Sequence, residues 1–489
     1  LTAKSNALDD NGECYELIEV STLNELIGNV DVLEGFDGRI NDLSDTALDL
    51  LHTIVRSNGA GNSNGHTKLN TKICNGILIH LVGIVTTLAA LIKNEEMVSG
   101  VTSCLGVNSY NGTLNDNAFA LNITSAKQVA ELPDFVKDGL AMEAKARGQK
   151  GWTVTLKAPS YVPFVTYSSQ RDLKEKLYKA RSTCAIGGKF DNTENIRKIT
   201  SLRLKIANLL GYECYADYVL DNRMAEKTET VNSFLAELLS QTKEYAEKDY
   251  QTINEYAHSL GFEGDIQPWD WAYYSEKYKN EKYALSDEMV KPYLKLDNVK
   301  KGVFMLATKL YGLEFKENTE IAPYHPEVSV YEVYDATGKM MAILYLDFFP
   351  RETKRGGAWM TEFRAASFDA EGNEIRPLVS LVMNFTKPTE NTPSLLTFDE
   401  FTTFLHEFGH ALHGMLGEGK YASLTGTSVY RDFVELPSQL LENWATEKEY
   451  LDLWAVHYES GEQMPAELIA KIVDAKNYLA AYSNVRQLS

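Results

Sequence analysis

Past about residue 120 the apolar positions of this chain recur mostly at helical spacing. Val231, Phe234, Leu235, Leu238 and Leu239 follow the i, i+3, i+4, i+7, i+8 rule of an amphipathic helix, with Thr228 just ahead as its N-cap. A different texture runs from about Glu327 to Phe385. There VSVYEVYD, ATGK and MMAILYLDFF predict a hairpin, because β-branched and aromatic runs flank a glycine-containing turn; FRAASFD, AEGN and IRPLVSLVMNF repeat the scheme. Helical spacing resumes where Thr397 and Glu400 have the separation of a capping box, and Phe404, Leu405, Phe408, Leu412 and Met415 carry the helix onward. The segment from Asp432 to Trp444 predicts a second helix whose apolar face packs on the first. The expected fold class is therefore mainly α, with a small β-sheet beside a pair of helices. Three regions follow: an N-terminal helical region over 1–116, a helical lobe over 117–326, and a region over 327–489 holding the sheet and the helix pair.

One earlier stretch breaks the pattern. Ile73 to Ile92 is twenty residues without a charge, bracketed by Lys72 and Lys93, which is long enough to span a bilayer. Asn75, His80, Thr86 and Thr87 inside it favour a buried core helix, with a membrane-anchored protein as the alternative. Composition narrows the rest. Length and a 44% hydrophobic content exclude a small binding module and wholesale disorder. A net charge of −20 repels phosphate backbones, so nucleic acid is not an expected partner. Five cysteines without CxxC spacing fit a reducing compartment, and the expected location is cytoplasmic. A chain that begins at Leu1, without an initiator Met or a basic-then-apolar leader, reads as a processed form or a fragment and leaves export open.

The chemistry concentrates in HEFGHALH, residues 406–413, which holds three of the nine histidines. Four residues advance a helix by roughly 400°, so His406 and His410 project from one face about 6 Å apart along the axis. Two imidazoles so placed can close onto one zinc ion. Glu407, turned about 100° from His406, can reach a water on the metal without being a ligand, which is the position of a general base. A catalytic zinc takes a third protein ligand and keeps one place for water. His413 lies about 10.5 Å along the axis from His406, too far for ligands about 2 Å from one ion, so it has a supporting or structural role. Downstream, Glu418, Asp432, Glu435 and Glu442 are all within reach, and spacing alone does not choose among them. Glu418 sits close behind the first helix in a glycine-rich turn, whereas Glu435 and Glu442 share a face of the second helix.

HEFGHALHGM followed by YASLTGTSVYRDFVELPSQLLENW resembles the thimet oligopeptidase and neurolysin family of zinc metallopeptidases, and within it the bacterial peptidyl-dipeptidase (dipeptidyl carboxypeptidase) branch. NAFAL, GWTVTLKAPSY, FDNTENI, LLGYECYADY and YLDFFPRETKRGGAWM extend the likeness from about residue 117 to the end. The resemblance implies His406, His410 and Glu435 as the ligands of one Zn²⁺ per chain and Glu407 as the catalytic glutamate. It also implies a two-lobed helical body with a deep channel that admits short unfolded peptides; a monomer is expected. Two departures stand out. The first hundred or so residues match poorly, and the family continues past NVRQLS with a glycine-rich segment containing His and Tyr that stabilises the oxyanion, which nothing before Ser489 matches.

The expected activity is zinc-dependent hydrolysis of short peptides, releasing C-terminal dipeptides. Internal cleavage of oligopeptides is the first alternative. A noncatalytic zinc- or peptide-binding protein is the second, should the chain end at Ser489. An extended substrate would pair with an edge strand; Lys354 to Met360, where Gly356 and Gly357 lack side chains, reads either as the strand that takes it or as a turn built on that glycine pair.

Overall fold

The computed structural model describes residues 94, 97–112, 114 and 118–489, together with the backbone of 4–8 and 14–17. The chain divides into two compact units, Leu1–Val101 and Thr102–Ser489. In the first, strands Lys4–Leu8 and Cys14–Leu17 pair antiparallel, with Lys4 opposite Leu17 and Leu8 opposite Cys14. The apolar run Ile73 to Ile92 lies outside the described residues. No helix among the described residues is long and apolar enough to cross a membrane.

The second unit is mainly helical with a small mixed sheet, as the periodicity predicts. Helices Asp134–Ala146, Ala158–Tyr167 and Arg171–Ser182 close over Val136, Leu140, Phe164 and Leu177, a core of their own. Helix α1, Thr228–Ser259, forms where the spacing predicts it, but two details differ. Its N-cap is Lys227, and the Thr228 hydroxyl donates instead to Asp217 Oδ1 at 3.0 Å. The apolar stripe is not its buried face: Phe234 is 62% exposed, and Leu235 and Leu239 are exposed too. Burial falls on Ala246, Ile253 and Ala257, where helix Ala480–Leu488 packs along α1, with Tyr482 N donating to Asp249 Oδ2 at 3.0 Å, and the tyrosine-rich helix Pro268–Tyr283 packs near its last turns. Small and β-branched residues admit that close approach, so contact, not hydrophobicity, decides which side is covered.

The sheet supports the site. Strands β1 (Glu314–Glu317), β2 (Ser329–Tyr334), β3 (Met340–Asp347), β4 (Trp359–Arg364) and β5 (Leu378–Val382) lie in the order β1-β2-β3-β5-β4. The predicted hairpin is β2 and β3, antiparallel with Val330 opposite Tyr345. The repeat of that scheme is less regular. β5 runs parallel to β3, β4 pairs antiparallel on the other side of β5, and only Ser367–Phe368 with Glu374–Ile375 makes a short hairpin between them. β4 is thereby an edge strand.

The expected glycine-containing strand starts later than Lys354. Gly356 and Gly357 belong to a loop, and Gly357 has φ +89°, a backbone state that L side chains rarely adopt. Asn384 Nδ2 donates to the carbonyls of Arg355 and Gly357, at 2.9 and 2.6 Å. Lys354 itself is buried and donates to the carbonyls of Asp347 and Phe349 and to Asp347 Oδ1. Burial brings its ammonium down to about 8 despite that carboxylate. The loop is thus pinned from both ends, and the strand proper begins at Trp359.

Helix α2 (Leu296–Tyr311) and helix α3 (Phe398–Leu416) pack with the sheet around the main core. The capping box of α3 is present as expected: Thr397 Oγ1 accepts from Glu400 N at 3.0 Å, and Glu400 Oε2 accepts from Thr397 N at 2.9 Å. Phe401, Phe404, Leu405, Phe408 and Ala411 are fully buried. Each large apolar side chain so buried contributes about 1.5–3 kcal/mol, enough to fix the rotation of α3 about its axis.

Candidate active site

That rotation leaves His406 and His410 on the face turned toward the following segment. Their rings lie 4.9 Å apart, near perpendicular. The second helix of the pair is shorter than its sequence suggests. Helix α4 spans Leu436–Glu442 and continues as a tighter turn through Asn443–Thr446, while Asp432 to Val434 are turn residues. Pro437 sets the start, since its ring suits the first turn and removes a donor that would lack an intrahelical partner there. Glu435 is therefore the N-cap of α4 and not a member of its face.

Gly409 explains how close the two helices come. A Cβ on Gly409 would sit 2.5 Å from both Pro437 O and Ser438 Cα, so only glycine admits the crossing. The approach brings Glu435 Oε2 to 3.2 Å from His406 Nε2 and 3.1 Å from His410 Nε2. These three are the one group among the described residues whose ligand atoms converge well enough to hold a metal ion, all within 4.8 Å of one another. Tetrahedral ligands about 2.0–2.2 Å from one zinc lie roughly 3.3–3.5 Å from each other, so the observed separations fit such an ion. Two imidazoles and a carboxylate are also a donor set that zinc accepts.

The remaining acids separate by position. Glu418 is exposed in the turn after α3. Asp432 Oδ2 accepts from Met224 N at 2.6 Å. Glu442, weighed in sequence only as a rival third ligand, accepts a hydrogen bond at Oε1 from His406 Nδ1 at 2.7 Å, with that ring nitrogen read as protonated. His413 stays out of the cluster, its ring against Phe433. Ser438 carried no sequence signal beyond its place one turn after Glu435; its buried hydroxyl donates to Glu435 Oε2 at 2.8 Å.

Glu407 is 6% exposed, and its buried Oε2 has no hydrogen-bond partner among the described residues. Burial pushes its carboxyl up to about 7, outweighing the pull of neighbouring His406, and the charge of Glu435 adds to the rise. A carboxyl so buried, beside two imidazoles and an acid, is poised to exchange a proton near neutrality.

The sequence pattern of Peptidase family M3 matches residues 164–489. The chain belongs to Peptidase family M3. Oligopeptidase A of Salmonella typhimurium is 40% identical over 75% of this chain, and dipeptidyl carboxypeptidase of Escherichia coli is 35% identical over 74%. Thimet-like oligopeptidase of Dictyostelium discoideum is 30% identical over 77%. The chain spans about half the length of these curated M3 relatives, 55%, 54% and 58% of each respectively. Family M3 is a metallopeptidase family, which agrees with a cluster able to hold a metal.

Proposed function

We propose that this chain carries the zinc site of a peptidase that hydrolyses short unfolded peptides, with His406, His410 and Glu435 as ligands and Glu407 as general base. The convergence of two Nε2 atoms on one Glu435 oxygen, beside the buried carboxyl of Glu407, carries this reading. A zinc ion bound by the three side chains supplies a Lewis acid for the scissile carbonyl and lowers the pKa of a water to ~7. Glu407 takes the proton of the attacking water and passes it to the departing nitrogen, since one carboxylate lies near both atoms at successive stages. No covalent intermediate on a side chain is involved.

The sheet supports binding of an extended chain. β4 is an edge strand, and it lies beside the metal-site helix: a Cβ on Gly414 would meet Met360 Cε at 2.8 Å and Glu362 Oε1 at 2.7 Å. Main-chain pairing along such an edge binds many sequences. The M3 relatives divide between two modes of cleavage. The wording of the YRDFVELPSQ segment favours release of C-terminal dipeptides, whereas the higher identity to oligopeptidase A favours internal cleavage. A product ladder from one defined peptide by mass spectrometry separates them.

The test is cleavage of a quenched fluorescent peptide, with zinc content measured alongside. Replacing Glu407 by Gln lowers the rate by about 10²–10⁴ while zinc is retained, and chelation abolishes cleavage reversibly. If wild type and Glu407→Gln both hold zinc and neither cleaves any peptide, the chain is a noncatalytic zinc-binding protein and the enzyme reading falls.

A further inference from the structure

Helix α4 does more than follow a ligand. His406 is held at both ring nitrogens by residues seven apart in the chain: Glu435 Oε2 faces Nε2 at 3.2 Å, and Glu442 Oε1 faces Nδ1 at 2.7 Å. Among the described residues His410 has no such second partner, since its buried Nδ1 meets none. The two histidines of one motif are therefore supported unequally.

We propose that Glu442 is a positioning residue for the metal, setting the tautomer, orientation and donor strength of His406. A neutral imidazole carries one proton. A carboxylate 2.7 Å from Nδ1 holds that proton there, which leaves the Nε2 lone pair pointing at the space shared with His410 and Glu435. The negative charge behind the ring also makes Nε2 a stronger donor. Glu442 is kept in place by its helix, because Leu441 is buried and the α3–α4 crossing is locked by Gly409 against Ser438. One short helix thus supplies Glu435 at its N-cap, Ser438 to hold the Glu435 carboxylate, and Glu442 at its last turn to hold His406. This inference rests on the metal-binding reading above.

The experiment measures zinc affinity of the full chain, stripped of metal, by competition with a chromophoric chelator at neutral pH. Variants are Glu442→Gln, Glu442→Ala and His406→Ala, and thermal unfolding of each metal-free protein is recorded. Glu442→Gln keeps the size of the side chain and a hydrogen-bond acceptor while removing the charge; it weakens zinc about tenfold. Glu442→Ala weakens it by about 10–100-fold, and the metal-free unfolding midpoints stay together. A purely packing role would leave Glu442→Gln at wild-type affinity. The absorption spectrum of the cobalt-loaded chain shifts in both Glu442 variants, because the geometry at His406 changes. If both bind zinc within about twofold of wild type while His406→Ala abolishes binding, the role of Glu442 is overturned and the metal site stands. If wild type does not bind zinc, the metal site and this inference fall together.

Discussion

Two helices of this chain were announced by the same apolar spacing and ended in opposite situations. α3 buries Phe401, Phe404, Leu405, Phe408 and Ala411 completely, with α2 and the sheet packed around it. α1 turns Phe234, Leu235 and Leu239 to solvent and is held by alanines and an isoleucine further along. Periodicity reports that a helix has a preferred side; it does not report which side another element reaches. The difference matters for function because only a helix fixed in rotation can aim two imidazoles at a point. On α3 the core sets the orientation of His406 and His410.

The comparison breaks if the buried face of α3 proves tolerant. Phe404→Ala leaves a cavity at a fully buried site between Phe348, Phe385 and Phe408, and costs about 3–5 kcal/mol in chemical denaturation. A loss below about 1 kcal/mol means that the core does not fix the helix. A smaller effect with a sharper consequence comes from Gly409→Ala. The added methyl lands 2.5 Å from Pro437 O and Ser438 Cα, both backbone atoms that cannot rotate away, so the crossing must open. The expected cost is about 1–3 kcal/mol, together with weaker zinc binding as Glu435 withdraws from the two Nε2 atoms. Unchanged zinc affinity in a destabilised Gly409→Ala protein would detach the site from the helix crossing.

Much of α3 was legible in sequence because everything that defines it is local: a capping box, a 3.6-residue stripe and two histidines one turn apart. Glu435 was less so. Four acids lay within reach, and what distinguishes them is tertiary: α4 starts directly after Glu435 with Pro437 in its first turn, and Gly409 lets that start approach α3. The supporting roles of Ser438 and Glu442 were invisible for the same reason, since a hydroxyl and a carboxylate gain meaning only when a ligand is set against them. In the sheet, alternation located the strands and the β2–β3 hairpin, but the order β3-β5-β4 depends on a crossover that no local pattern encodes. For Gly356 and Gly357 the sequence left strand and turn open, because a glycine pair carries no side-chain alternation by which to judge it; the loop is the outcome.

The smallest expected effect tests the other half of the comparison. Phe234 is 62% exposed on α1, so Phe234→Ala removes little buried area and changes a helix surface where alanine has the better intrinsic propensity. Stability in denaturant should move by no more than about 0.5 kcal/mol in either direction, with zinc affinity unaltered. The double variant Phe234→Ala with Leu239→Ala should behave as the sum of two such changes. A loss above about 1.5 kcal/mol, or one that grows with protein concentration, would show that something covers this face in solution. In that case the contrast with α3 would be one of partner, with α1 also buried through its stripe.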